Sequence, residues 1–482
     1  MNGTLKRASV ACLLMFGLLM LNINFLQAVK ADELRTDSRN NRSFYARYQN
    51  ERGQITAGGE TLARSVDVGG TFRFQRKYAD GPIYAPVIGF FAPESAQGIE
   101  GTENQYLDGS HPDLFVRRTV DLVTGKPPLG AAVDLTLVPK AQEAAYRGMQ
   151  RSGKRGAVVA MDPKTGAIQT MVSVPSYDPN LIAVPDKAKA AAAYNKLDAN
   201  DNEPLINRAI NKTYAPGSTF KVVTTAAYLS DDDSRDVNTT VDAPDQLPLP
   251  GTNITLRNYH GESCGGRTTL IDALTISCNT AFGSMALEMG YDRLSEQAAK
   301  FGIGKPLAIP LEVTASSLGR DEGKAALAQT SIGQRSNQMT PLQMAMVAAG
   351  VANQGTVMRP YLVNKVISPD GDEIAAARPR ELDEAVSPEI ADELEQMMIS
   401  VVETGTGGAA KIPGVTVAGK TGTAETEKGA ASHAWFISYA PADDPKVAVA
   451  VFVESGSAGN DATGGAVAAP IARDVMQAVL DQ

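Results

Sequence analysis

Ala215-Pro216-Gly217-Ser218-Thr219-Phe220-Lys221-Val222-Val223 opens an apolar, helix-compatible run. Proline is tolerated in the first turn of a helix, where its missing N–H has no partner to lose. Residues three apart share a helix face, so Ser218 and Lys221 point the same way. A hydroxyl beside an amine is a nucleophile beside a base. Alone, the tetrad would equally describe a solvated serine and lysine, and two later stretches decide between these readings. Ser277-Cys278-Asn279 begins 59 residues after Ser218, behind a helical pattern over 270–276. Lys420-Thr421-Gly422-Thr423 begins 141 residues after Asn279, in a strand-like context.

S-x-x-K, a serine–asparagine triplet and K-T-G, in that order, form the signature of penicillin-binding proteins and class A β-lactamases. Here the triplet is S-C-N, in the S-x-N form of penicillin-binding proteins. The resemblance covers essentially the whole chain. It takes in Glu51-Arg52-Gly53, Asp162-Pro163-Lys164-Thr165-Gly166, Pro175-Ser176-Tyr177-Asp178-Pro179-Asn180, Gly333-Gln334, Thr340-Pro341-Leu342-Gln343 and Ala434-Trp435-Phe436. The sequence resembles the class B penicillin-binding proteins of the PbpA type, membrane-anchored peptidoglycan D,D-transpeptidases. That resemblance implies an N-terminal pedestal of the dimerisation type and a C-terminal transpeptidase domain. Residues 30–150 are too few for the glycosyltransferase domain of class A relatives.

The bulk properties narrow the function independently. The length of 482 residues allows two or three domains. A net charge of −9 argues against a general nucleic-acid binder. His111, His260 and His433 lie far apart and the cysteines show no C-x-x-C spacing, so no metal and no cofactor are expected. Lys6 and Arg7 precede an apolar run over 8–29, which as a helix spans roughly 33 Å, enough to cross a bilayer core. An uncleaved anchor is favoured over a signal peptide cleaved near Val29-Lys30-Ala31. The basic pair then stays inside and the rest is exported. The expected division is a cytoplasmic tail over 1–7, an anchor over 8–29, a β-rich pedestal over 30–150 and the transpeptidase domain over 151–482. Export places Cys264 and Cys278 in an oxidising compartment, where they are expected to pair and steady the loop carrying Ser277 and Asn279; two buried thiols are the alternative.

Residues 156–162 read as a strand, 163–166 as a turn and 167–174 as the return strand. Thr340-Pro341 caps and opens a helix running to 352. Strands over 434–439 and 447–454 and a final helix over 466–480 follow. Strands at both ends with helices between predict an α+β domain, an antiparallel sheet between helical layers. Asp231-Asp232-Asp233 and Pro369-Asp370-Gly371-Asp372 read as solvated loops. Trp435 and Phe436 read as core, while Ser455–Gly459, Asp461 and Thr463-Gly464-Gly465 read as a loop near the site.

The chemistry implied by the resemblance is acyl transfer. Ser218 attacks the penultimate D-alanine carbonyl of a stem peptide, the terminal D-alanine leaves, and an amine of a neighbouring stem displaces the serine. β-Lactam antibiotics mimic the D-Ala-D-Ala donor and leave a lasting acyl-enzyme. Lys221 is the expected base, though an unperturbed lysine is neutral only about once in 2,500 molecules at pH 7. Burial and the charge of Lys420 would lower its pKa. Ser277 would relay a proton and Asn279 would hold the substrate amide and Lys221. Lys420, Thr421 and Thr423 would receive the terminal carboxylate. Gly422 would let the substrate strand lie close, and the Ser218 and Thr423 N–H groups would form the oxyanion hole. The implied partners are stem peptides, the membrane, and a lipid-linked-precursor glycosyltransferase within a wall-building complex.

Rival readings remain at this point. Gly261-Glu262-Ser263-Cys264-Gly265 fits the nucleophile elbow of α/β-hydrolases, with 253–256 as its strand, but no run of parallel strands accompanies it. A β-lactamase, a D,D-carboxypeptidase, or a non-catalytic scaffold or β-lactam sensor would share the same motifs. Few residues precede the anchor for a cytoplasmic signalling domain, which weighs against the sensor.

Overall fold

The structure, a computed structural model, describes residues 2–30, 45, 47–125, 129–424, 432–454 and 463–482. Helix α1 (Asn2–Ala28) is long and apolar enough over 3–28 to cross a membrane, with a mean hydropathy of 2.1. Beyond it, a pedestal and a catalytic body share structure.

Five strands form the catalytic sheet among the described residues: β1 (Gly156–Met161), β2 (Ile168–Val174), β3 (Ala418–Ala424), β4 (His433–Ala440) and β5 (Val447–Val453). Their order is β3-β4-β5-β1-β2, antiparallel throughout, so strands far apart in sequence meet where β5 pairs β1. Side chains alternate across a strand. Val158 and Ala160 therefore pack on one face, with α2 (Pro139–Ser152) and the C-terminal helix Ala469–Leu480. Ala157, Val159 and Met161 pack on the other, in the core shared with the helices between. Burial on both faces explains why these strands read as unbroken apolar runs.

The helical layer holds α3 (Lys221–Asp231), α4 (Asn279–Lys300), α5 (Pro341–Ala352) and α6 (Pro388–Glu403). Every residue of α5 is buried, and Thr340 caps it by accepting the Gln343 N–H at 3.1 Å. The final helix, expected over 466–480, begins as a wide turn over Gly464–Ala468 before α7 (Ala469–Leu480). Asp231 is not a loop residue as expected: it ends α3 and pairs with Arg293 at 3.1 Å and Arg235 at 3.4 Å.

The pedestal sheet has six strands among the described residues, in the order Glu373–Ala376, Val363–Ile367, Ala132–Leu135, Ile55–Ala57, Glu60–Asp67, Phe74–Tyr78. Two of these come from the catalytic half, so the hairpin over 363–376 ties the pedestal to the body across the boundary read at residue 150. Helices such as Gly81–Ile88 and Phe115–Thr124 make the pedestal mixed rather than simply β-rich. Glu51-Arg52-Gly53 has a physical reason there. Arg52 Nε donates to Glu100 Oε2 at 2.7 Å, and Arg76 Nε donates to Glu100 Oε1 at 2.5 Å. Gly53 lies so close to Ala131 that a Cβ would stand 1.9 Å from its carbonyl oxygen.

Candidate active site

Ser218 lies in the tight turn Gly217–Phe220 that leads into α3. Gly217 adopts a φ of 54°, donates its N–H to Gly333 O at 2.9 Å, and sits where a Cβ would be 2.6 Å from Thr423 O. Glycine at this position thus lets the turn carrying Ser218 press against β3. The Ser218 hydroxyl opens on the cleft with no hydrogen-bond partner among the described residues.

Lys221 begins α3 and is fully buried. Its Nζ donates to Ser277 O at 2.8 Å, Ser277 Oγ at 3.1 Å and Asn279 Oδ1 at 2.7 Å. Burial, and secondarily the neighbouring Lys420, hold this amine well below its ordinary value of 10.5. Lys420 is equally buried, and burial pushes it down to about 7. Its Nζ donates to Ser277 Oγ at 2.9 Å and to Thr421 O at 3.2 Å. Both lysines thus converge on one hydroxyl.

Ser277 carries a φ of 63° between the helix Leu270–Thr275 and α4, which starts at Asn279. A left-handed serine is uncommon and costs about 1–3 kcal/mol, held by its surroundings. The Asn279 amide donates onward to Arg257 O at 3.1 Å. Cys278 is disulfide-bonded to Cys264, joining the triplet to the loop over 262–265. Asn258 braces the same junction, donating to Glu262 O at 3.0 Å and accepting the Thr280 N–H at 3.0 Å.

Ser218, Ser277, Asn279, Thr421 and Thr423 line one cleft of about 980 Å³, the scale of a ligand site. Lys420 and Gly422 do not line it. Lys420 stands behind the wall, reaching Ser277 rather than open solvent. A Cβ on Gly422 would meet Pro216 O and Thr219 Cγ2 at 2.9 Å, so this glycine accommodates the turn that carries Ser218. Thr463, Gly464 and Gly465 line the cleft, whereas Ser455–Gly459 and Asp461 lie outside the described residues. Trp435 is fully buried, its Nε1 donating to Ala215 O at 2.9 Å, and Phe436 is buried too.

Sequence reasoning missed several lining residues, three of which bear on the site's chemistry. Thr406, on the turn after α6, shares a 2.6 Å hydrogen bond with Thr421 Oγ1. Arg257 and Arg335 bring positive charge to the walls. The only signal for Arg335 was its place beside Gly333-Gln334. The nucleophile-elbow reading of Ser263 fails on geometry. Its hydroxyl donates to Asp245 Oδ1 at 2.6 Å in an exposed loop that leads to the strand Gly266–Thr269, not to a helix.

Comparison with known proteins gives a consistent picture. The profile of the penicillin binding protein transpeptidase domain matches residues 156–477, and that of the penicillin binding protein A dimerisation domain matches 52–133. The peptidoglycan D,D-transpeptidase PbpA of Mycolicibacterium smegmatis is 46% identical, over 100% of this chain and 99% of that protein. Its namesake in Mycobacterium tuberculosis is 44% identical over the same shares. The structure of penicillin-binding protein A from M. tuberculosis as a ceftriaxone acyl-enzyme complex matches with a TM-score of 0.88 at 44% identity, over 90% of this chain and 100% of that one. The penicillin G acyl-enzyme complex gives 0.85, over 89% and 100%.

Proposed function

Since the chain belongs to the penicillin-binding protein family of transpeptidases, we propose that it is a peptidoglycan D,D-transpeptidase working through an acyl-serine at Ser218. The carrying observation is the buried, depressed amine of Lys221, hydrogen-bonded to both Ser277 and Asn279.

A neutral amine has two hydrogens and a lone pair. The two shortest contacts, to Ser277 O and Asn279 Oδ1, take the hydrogens, because neither oxygen can donate. The lone pair is left to take the Ser218 proton as the hydroxyl attacks the donor carbonyl. The Ser218 and Thr423 N–H groups face the developing oxyanion in this reading. The longer contact to Ser277 Oγ carries the proton onward. Ser277 passes its own proton to the leaving nitrogen, the C–N bond breaks, and the terminal D-alanine departs as an amine. An acceptor amine then attacks the ester carbonyl, loses a proton by the reverse path, and regenerates the Ser218 hydroxyl. β-Lactams stop at the first stage. Thr421 and Thr423 hold the donor carboxylate by hydrogen bonds, with the charge of Lys420 behind them.

In this reading α1 anchors the chain in the cell membrane, with pedestal and catalytic body extracytoplasmic, in support of which stand its length and apolarity and the basic pair Lys6-Arg7 near its N-terminal end. The pedestal over 30–150 and catalytic domain over 151–482 act as a coupled unit through the shared sheet. A lipid-linked-precursor glycosyltransferase as partner rests on the family alone.

The test is intact mass of the full chain in detergent after incubation with benzylpenicillin, beside Ser218→Ala. We expect one stable adduct on the wild type and none on the variant. A folded wild type without an adduct overturns the reading.

A further inference from the structure

We propose that Trp435 is a positioning residue: its indole N–H tethers the turn that carries Ser218 to the sheet that carries Thr423, and so sets the width of the oxyanion hole. The inference rests on the D,D-transpeptidase reading, in which the Ser218 and Thr423 N–H groups face the developing charge.

Those two donors belong to different elements. Ser218 lies in the turn Gly217–Phe220 and Thr423 on β3. Glycines let the two approach: a Cβ on Gly217 would stand 2.6 Å from Thr423 O, and one on Gly422 would stand 2.9 Å from Pro216 O. Close packing of this kind fixes how near the elements can come. It does little to hold them there, because dispersion between a few atoms is weak. A directed bond has to set the upper limit. Among the described residues, one hydrogen bond joins the segment 215–220 to β3 or β4, the donation from Trp435 Nε1 to Ala215 O at 2.9 Å. The backbone bonds of Tyr214 and Gly217 run instead to Met339 and Gly333, which lie outside the sheet.

The indole is itself held in place. Trp435 is fully buried on β4, directly opposite Gly422 of β3 and Phe452 of β5. Its ring meets that of Phe452 at 4.7 Å between centroids, and the Tyr214 ring stacks on the same phenylalanine at 3.9 Å. Rings from both ends of the tether thus close on one partner. A buried indole N–H needs an acceptor somewhere. Here the acceptor stands three residues before Ser218, with Pro216 between them to stiffen the link. Oxyanion donors act when they stand about 3 Å from the developing charge. A slack tether would therefore weaken stabilisation of the tetrahedral state while leaving the lysine pair and the Thr421 hydroxyl where they are.

Trp435 is the single tryptophan of the chain, so growth of a tryptophan auxotroph on an analogue replaces this ring alone. β-(3-Benzothienyl)alanine keeps the shape and puts sulfur in place of the N–H, whereas 7-azatryptophan keeps the N–H. Acylation of the full chain in detergent by a fluorescent penicillin is followed to saturation and normalised to the sites that label. With the benzothienyl ring the limiting acylation rate should fall at least about 10-fold, within the reach of a small misplacement. Hydrolysis of the acyl-enzyme passes through the same oxyanion and should slow by a similar factor. The half-saturating concentration and the pH profile should not move, and 7-azatryptophan should restore both rates. Trp435→Phe, which also lacks the N–H, serves if the benzothienyl protein does not fold. Unchanged rates without the N–H, a loss confined to half-saturation, a shifted pH profile, or a loss that 7-azatryptophan shares overturns the tether. Absence of penicillin labelling on the wild type instead overturns the transpeptidase reading.

Discussion

In the pedestal, Glu100 stands between Arg52 and Arg76, while in the cleft Lys221 and Lys420 lie buried with no carboxylate paired to either among the described residues. Both regions take positive charge out of water, which is costly unless the charge is paired or given up. The pedestal pairs it. Burial alone would raise the Glu100 pKa, but Arg76 and Arg52 outweigh it and hold the carboxyl below its ordinary value, so all three groups stay charged. The cleft leaves it unpaired, and the protonated form of each amine is disfavoured. Burial lowers both amines, and the repulsion of Lys420 lowers Lys221 further. The same physical cost thus yields a cross-link in one place and, in the proposed mechanism, a general base in the other.

Exchanging Lys221 for methionine breaks the contrast most sharply. The rate of penicillin acylation should fall by at least about 10³-fold, because Ser218 loses its base. Stability should move by only about 1–2 kcal/mol, since an apolar chain replaces a buried amine while Ser277 O and Asn279 Oδ1 lose a donor. The pH dependence should change in a defined sense. Both amines bind protons less readily folded than unfolded, so unfolding takes protons up and stability rises with pH from about 7, the folded value of Lys420, toward 10.5. Denaturant midpoints across that range should rise less steeply in Lys221→Met. A slope equal to the wild type's would mean that Lys221 keeps its proton in the folded state.

Glu100→Gln should do the reverse. Two buried guanidiniums would lose their shared carboxylate, at a cost of about 3–5 kcal/mol in unfolding free energy measured by denaturant titration. Acylation of Ser218 in the protein that remains folded should stay within a few-fold of the wild type. A stability loss under about 1 kcal/mol would show that the cluster is solvated and that the two regions are not opposites after all.

These two regions also differ in how far they were legible beforehand. Ser218, Lys221, Ser277, Asn279 and Lys420 could be read because each stands inside a short motif whose spacing along the chain reflects its chemistry. Lys420's place behind the wall was not readable, since burial depends on how β3 packs against the turn over 217–220. Gly422 shows the same limit: its residue type was clear, but its reason lies in Pro216 and Thr219. The Arg52–Glu100–Arg76 cluster draws on three separate segments, and only the Glu51-Arg52-Gly53 fragment gave notice of it. The hairpin over 363–376 pairs with Ala132–Leu135, far away in sequence. Strand pairing at that range leaves no local signature, so a boundary drawn at 150 by change of texture had no means to include it. Thr406 and Arg335 lie on turns whose residues satisfy no motif of their own.

Thr406 supplies the finest test, because it asks what a part-buried polar contact contributes when no charge is involved. Thr421 is 7% exposed, and its hydroxyl lies 2.6 Å from that of Thr406. Two hydroxyls in contact share one hydrogen: if Thr406 donates, the Thr421 O–H is free to point at an anion in the cleft. Thr406→Val keeps the shape and removes that donor. The expected loss is about 1 kcal/mol, or roughly 5-fold in the second-order rate of penicillin acylation. The loss should lie in binding, because Thr421 meets the carboxylate and not the reacting carbonyl. The limiting acylation rate and its pH profile, which belong to the lysine pair, should be unmoved. A shifted pH profile would instead couple Thr406 through the Thr421 carbonyl to Lys420, and would place it with the charged groups from which this comparison separates it.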